Sequence, residues 1–238
     1  MLIMGHPQFS TQDDVGIGDG LPPIPEWQFD ATALPDDFSA LSSIDVDYAV
    51  RNVFIRLRHV FQRAQHIPFP TTRLHDLTCF VVHRLLLSTA DPQSSPGTEC
   101  MRCAIILYMF IIQGPTYYSY AVIMNTIVTR FMAQLQHLES TPRLHDSLDV
   151  WFLAVGMVAS TGTSYYLWFM ERARDVAASL QLGSWNDALV HVKNVLWLET
   201  LQGEEIFQLH WDAVLGAAHR GPLDFTGCVS LSSSAGFL

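Results

Sequence analysis

Residues 168–197 read WFMERARDVAASLQLGSWNDALVHVKNVLW, and this stretch decides the fold. Phe169, Ala173, Val176, Ala177 and Leu180 recur at three- and four-residue steps, the period that lines apolar side chains along one stripe of a helix. Glu171, Arg172, Arg174 and Asp175 fall on the wet side. Gly183 is the expected stop, because glycine alone enters the left-handed conformation of a helix end without steric cost. Ser184, with Asp187 three residues later, can satisfy the free N–H groups of a following helix. That helix carries Trp185, Leu189, Val192, Leu196 and Trp197 on one face. The pair reads as a hairpin of two short amphipathic helices, with indoles supplying much of its buried area.

Outward from this hairpin the same period repeats. Ser43 is a candidate cap for a helix over 44–65, with Val50, Val53, Phe54, Leu57 and Phe61 inward and Arg51, Arg56, Arg58 and Arg63 outward. A second helix begins at Thr71 or Thr72 and stops before Asp91-Pro92. The third, 99–113, is apolar nearly all round, which marks it as central, and Gly114-Pro115 ends it. A fourth spans 116–138. Thr141-Pro142 is the expected start of a fifth running to Ser160, since proline's missing N–H costs nothing at the first helical position. The hairpin supplies the sixth and seventh, and 204–218 an eighth. With no alternating run long enough for a strand, the expectation is an all-α fold: about eight helices stacked as helical hairpins, without a significant sheet. The domain limits follow as an arm over 1–40, a helical domain over 41–218 and a loose tail over 219–238. Trp27 and Phe29 are placed to tether the arm to the core.

Of the 238 residues, 49% are hydrophobic and 15% charged, a balance that points to a covered surface or an internal pocket. The longest apolar run, Cys103 to Ile112, is ten residues, against the roughly 20 a spanning helix needs, so no membrane span is expected. Net charge is −10 and Lys193 is the single lysine, which leaves no electrostatic footprint for nucleic acid. Cys79, Cys100, Cys103 and Cys228 include one C-x-x-C. Without a second such pair or a histidine pair at finger spacing, Cys100 and Cys103 read as buried thiols on adjacent helical turns, not as metal ligands. Neither metal nor cofactor is called for. The first 25 residues lack a basic end and a continuous apolar segment, so the expected location is cytoplasmic or nuclear.

Several strings carry a resemblance. They are CMRCAIILYMFI over 100–111, the apolar helix VWFLAVGMVAS over 150–160, and the WF-ER-AR-DVA, Leu-Gly-Ser-Trp and VLW elements of the hairpin. Together they resemble the regulatory domain of fungal-specific transcription factors, the helical region beyond a binuclear zinc cluster, over roughly residues 40 to 215. The resemblance implies a helical fold and a regulatory role. The cluster of six cysteines and the basic linker that carry DNA contacts in that family have no counterpart here, so the resemblance implies a shortened regulatory domain without its reader. Its partners would be an apolar small molecule, a protein, or a second copy of the chain in a homodimer.

Candidate site residues are few. The tetrapeptide RLHD occurs twice, at 73–76 and 143–146, and presents His75 with Asp76 and His145 with Asp146. Neighbours on a helix point about 100° apart, so each reads as polar dressing of a helix start, with His145 left as a residue that could face a cavity. Tyr117, Tyr118 and Tyr120 open the fourth helix, and Tyr165, Tyr166 and Trp168 the sixth; such polar-tipped rings suit an apolar pocket between helices. Arg102 and Arg130 sit in apolar helices and require a carboxylate or a ligand. The ligand-binding set is therefore Tyr118, Tyr120, Arg130, His145, Tyr165 and Tyr166. The paired acids Asp36-Asp37 and Asp45-Val46-Asp47 lack the converging partners of a magnesium site. No nucleophile elbow or phosphate loop is present. The leading expectation is a binding domain; the alternative is a cofactor-independent enzyme of fungal secondary metabolism, a cyclase or cycloaddition catalyst, using an aromatic-lined pocket.

Overall fold

A computed structural model describes residues 23–27, 39–65, 69–87, 94–114, 120–140 and 143–218. Among them are eight α-helices and no strand: α1 (Tyr48–Ala64), α2 (Thr71–Leu87), α3 (Pro96–Gln113), α4 (Tyr120–Glu139), α5 (Ser147–Ala159), α6 (Tyr165–Ser179), α7 (Trp185–Val195) and α8 (Leu201–Ala218). The all-α expectation holds. No described helix is long and apolar enough to cross a membrane.

Two helices form the centre because they have no polar face. In α3 every residue from Cys100 to Met109 is buried, and in α5 every residue from Leu148 to Met157. Helix α3 packs against α1, α2, α4 and α5, and α5 against α3, α4, α6, α7 and α8. At about 1.5–3 kcal/mol for each large apolar side chain, these two helices supply most of the drive for collapse. Between them Tyr108 lies 5.8 Å from Trp151, 6.4 Å from Trp197 and 6.0 Å from Phe207, ring centre to ring centre. Two polar tips in this cluster are satisfied by backbone: Leu198 N–H donates to the Tyr108 hydroxyl at 2.8 Å, and Trp151 Nε1–H to the Leu196 carbonyl at 2.9 Å. Both bonds hold the extended link between α7 and α8 against the core.

Helix starts follow side-chain caps more closely than sequence punctuation suggests. Asp47, not Ser43, caps α1, accepting from Val50 N–H at 2.8 Å. Ser95 caps α3, which starts earlier than 99 at Pro96. These two starts are latched together: Ser95 Oγ donates to the Asp45 carbonyl at 2.7 Å and Asp47 N–H to Thr98 Oγ1 at 2.9 Å. Arg102, buried in α3, pairs with Glu99 and with Asp47 at 3.6 Å, meeting its need for carboxylates. Arg56, expected on the wet face of α1, is instead buried, with Nη1 donating to the Trp27 carbonyl at 2.9 Å and Nε to Asn52 at 2.8 Å. Trp27 is fully buried and meets Phe80 edge to face at 5.2 Å, so the arm is tethered where its indole predicts. Phe29 and Cys228 lie outside the described residues.

At the quoted hairpin the capping box is present, Ser184 Oγ accepting from Asp187 N–H and Asp187 Oδ2 from Ser184 N–H. The stop differs from expectation. Gln181, at φ 56, takes the left-handed position, and Gly183 does not. Leu182 N–H reaches the Ala177 carbonyl at 2.9 Å and Gln181 N–H that of Ala178 at 3.3 Å, the paired bonds of a Schellman end. Gly183 serves the next helix, its N–H donating to Asp187 Oδ2 at 3.1 Å. Helix α7 then packs mainly on α5.

Candidate functional site

Between the end of α4, the start of α5 and the second half of α6 lies an open cleft of about 360 Å³. Its floor is apolar: Leu135, Leu153 and Val176, all buried. Its walls are charged, with Glu139 from α4, Arg143 and His145 from the connecting segment, Asp149 from α5, and Arg172 and Asp175 from α6.

The connecting segment takes its shape from Asp149. Thr141-Pro142 does not open α5; residues 143–146 are non-helical and the helix starts at Ser147 under an Asp146 cap. Asp146 Oδ1 accepts from Leu148 N–H at 2.9 Å and Asp149 N–H at 3.3 Å, while Asp149 Oδ2 accepts from Asp146 N–H at 3.1 Å. The capping box outweighs the proline signal because it satisfies several free N–H groups at once. The remaining capacity of Asp149 draws in its neighbours: Arg143 Nη2 donates to Oδ1, and His145 Nδ1 stands 3.3 Å from Oδ2. Asp149 is only 7% exposed, so a buried carboxylate is neutralised by a charged pair plus backbone donors, as burial requires. His145 and Asp146 are thus loop and cap residues, not members of a helical first turn.

Across the cleft, Arg172 Nε lies 3.4 Å from Glu139 Oε2 and Nη1 lies 3.6 Å from Asp175 Oδ2, with the guanidinium 5.9 Å above the Trp168 ring. Burial holds the Glu139 carboxyl above its ordinary range, opposed by Arg172 and reinforced by the negative charge of Asp149.

A second polar cluster joins the turn after α5 with α6 and α8. The Tyr166 hydroxyl lies 3.0 Å from His210 Nδ1, and Thr161 Oγ1 lies 3.2 Å from His210 Nε2. Thr161 also donates to the Val158 carbonyl at 2.9 Å, so its oxygen accepts from Nε2–H and leaves Nδ1 to accept from Tyr166. Burial holds His210 below the ordinary histidine range, consistent with this neutral tautomer.

A third cluster lies on α2. Gln113 Nε2 donates to His75 Nδ1 at 2.6 Å, and His75 Nε2 is 3.6 Å from Cys79 Sγ, beside a cleft of about 490 Å³ that Asp76 also lines. With Nδ1 accepting, Nε2 carries the proton and cannot take one from the thiol. Burial, with Asp76 beside it, pushes the Cys79 thiol up, away from thiolate. Cys100 and Cys103 are buried and free, and burial pushes Cys103 up to about 12. No cluster of three or more His, Cys, Asp or Glu among the described residues is placed to hold a metal.

Among the described residues, the expected ligand-binding set does not converge. His145 lines the charged cleft; Tyr166 meets His210; Tyr165 is half-buried against the core; Arg130 is exposed on α4. Tyr118 falls outside the described residues, and of Tyr120 only its place at the start of α4 is described. The two RLHD copies line different clefts. Asp149, Glu139 and Arg172 were not singled out, although the Asp-x-x-Asp spacing of Asp146 and Asp149 is a capping signature that could have located the first. Set against known proteins, the chain matches no family model, no curated protein and no solved structure.

Proposed function

We propose that this chain is a regulatory domain of the helical type its sequence resembles, one that receives a small molecule in the α4/α5/α6 cleft and performs no chemistry on it. The observation that carries this reading is the cleft itself, an apolar floor under a charged rim at the junction of three helices. Its polar groups are committed to caps and ion pairs, arrangements that orient and recognise, and none forms a nucleophile with a base in reach. The net charge of −10 argues against direct contact with nucleic acid.

Thermal shift across a panel of small amphiphiles tests this. A binder raises the unfolding temperature by mass action, and the charge-reversed variant Glu139→Arg loses that rise while keeping its own cooperative transition. A panel without one such binder contradicts the proposal.

The catalytic alternative draws on one observation, the Tyr166 hydroxyl held against His210. In that reading Tyr166 orients an apolar substrate for cyclisation. Unchanged turnover of a polyene or diene substrate in Tyr166→Phe, or no turnover by the unaltered chain, removes it.

A further inference from the structure

The charges of the α4/α5/α6 cleft do not balance, and the imbalance identifies a ligand class. Three carboxylates, Glu139, Asp149 and Asp175, line it with two guanidiniums, Arg143 and Arg172. Arg143 is committed to Asp149, its side chain 15% exposed and its Nη2 donating to the buried Oδ1. Glu139 and Asp175 therefore share Arg172, each through one oxygen at 3.4 and 3.6 Å, neither in the two-pronged arrangement that would exhaust the pair. Carboxylates thus outnumber guanidiniums by one over a floor of Leu135, Leu153 and Val176.

We propose that this cleft takes a small organic ammonium ion with an apolar body, its N–H groups directed to Glu139 and Asp175 and its hydrocarbon laid on the leucine and valine floor. The inference rests on the small-molecule role proposed above and adds the ligand's charge. A carboxylate or phosphate ligand would add to the surplus it meets. A neutral apolar one would cover the Glu139 carboxylate without supplying a hydrogen bond. An ammonium with a hydrocarbon tail satisfies both surfaces. The volume, about 360 Å³, is of the order of a small ligand site, and the overall charge of −10 favours approach of cations.

Isothermal titration calorimetry at low salt compares phenethylamine, phenethyl alcohol and hydrocinnamate, three probes with one ring and different heads. The amine is expected to bind about tenfold more tightly than the alcohol, and the carboxylate not measurably. Glu139→Gln and Asp175→Asn preserve shape and should each weaken the amine several-fold, whereas Arg172→Gln removes the competing cation and should tighten it. Alcohol binding equal to amine binding, or weaker amine binding by Arg172→Gln, overturns the charge argument and leaves small-molecule reception standing. Failure of all three probes overturns the ammonium proposal, while reception itself falls only if the wider panel also gives no binder.

Discussion

Gly156→Ala should destabilise the protein although alanine is the better helix former. A Cβ built on Gly156 stands 2.3 Å from Cδ1 and Cε1 of Phe169, where carbon atoms in contact rest at about 3.5–4.0 Å. The ring would have to retreat by more than an ångström. It has nowhere to go: Phe169 is fully buried, stacked on Phe131 at 5.8 Å and held edge to face by Trp168 at 4.9 Å. Overpacking of this kind costs about 1–3 kcal/mol, more where the neighbours are themselves locked, and helix propensity returns about 1 kcal/mol. The net expectation is a loss of about 2 kcal/mol, which lowers the urea midpoint by about 1 M. Gly216→Ala is the internal control, since nothing lies within 4 Å of a Cβ there, and it should be neutral or mildly stabilising. If both substitutions stabilise alike, α5 and α6 do not approach as described.

Other expectations concern the same architecture. Gln181→Gly relieves a left-handed residue at the α6 stop and should raise stability by about 0.5–1 kcal/mol in urea titration, whereas Gly183→Ala, at a position without positive φ, should not lower it comparably. Tyr108→Phe leaves the buried Leu198 N–H without its acceptor and should cost about 1–3 kcal/mol by the same assay. His210, held below its unfolded value of 6.5 by burial, binds its proton more readily when unfolded, so stability should fall as pH drops below that value and be fully retained above it. His210→Gln should flatten that slope without abolishing it, because His59 is also held down by burial and by Arg63.

How far the sequence foretold this structure depends on the range of the interactions involved. The apolar stripe of α6, the Trp185 and Val192 positions of α7 and the Ser184–Asp187 box are local signals, and they appear where the residues place them. So does the centrality of α3, a helix with no face to spare for water. Leu196 and Trp197, expected on the face of α7, instead fall in the extended link beyond its end at Val195. Where two local signals competed, the stronger was the one that satisfied more backbone donors, so Asp146 with Asp149 capped α5 in place of Thr141-Pro142. Arg56 departs from the wet-face expectation because its partner, the Trp27 carbonyl, lies 29 residues away, and no periodicity within α1 reveals it. The cleft was hidden for the same reason. Glu139, Asp149 and Arg172 come from three helices, and each alone reads as an ordinary surface charge. The tyrosines drew attention by clustering in sequence, yet Tyr166 found its partner on α8, in a helix whose histidine carried no signal of its own.

Hydrogen exchange measured by mass spectrometry, with and without phenethylamine, tests the central claim that the α4/α5/α6 junction is the ligand site. Protection is expected to rise in peptides covering 139–149 and 172–176, and to stay unchanged around His75 and Cys79 and around His210. Protection that gathers at either of those clusters instead, or changes nowhere under saturating amine, contradicts it.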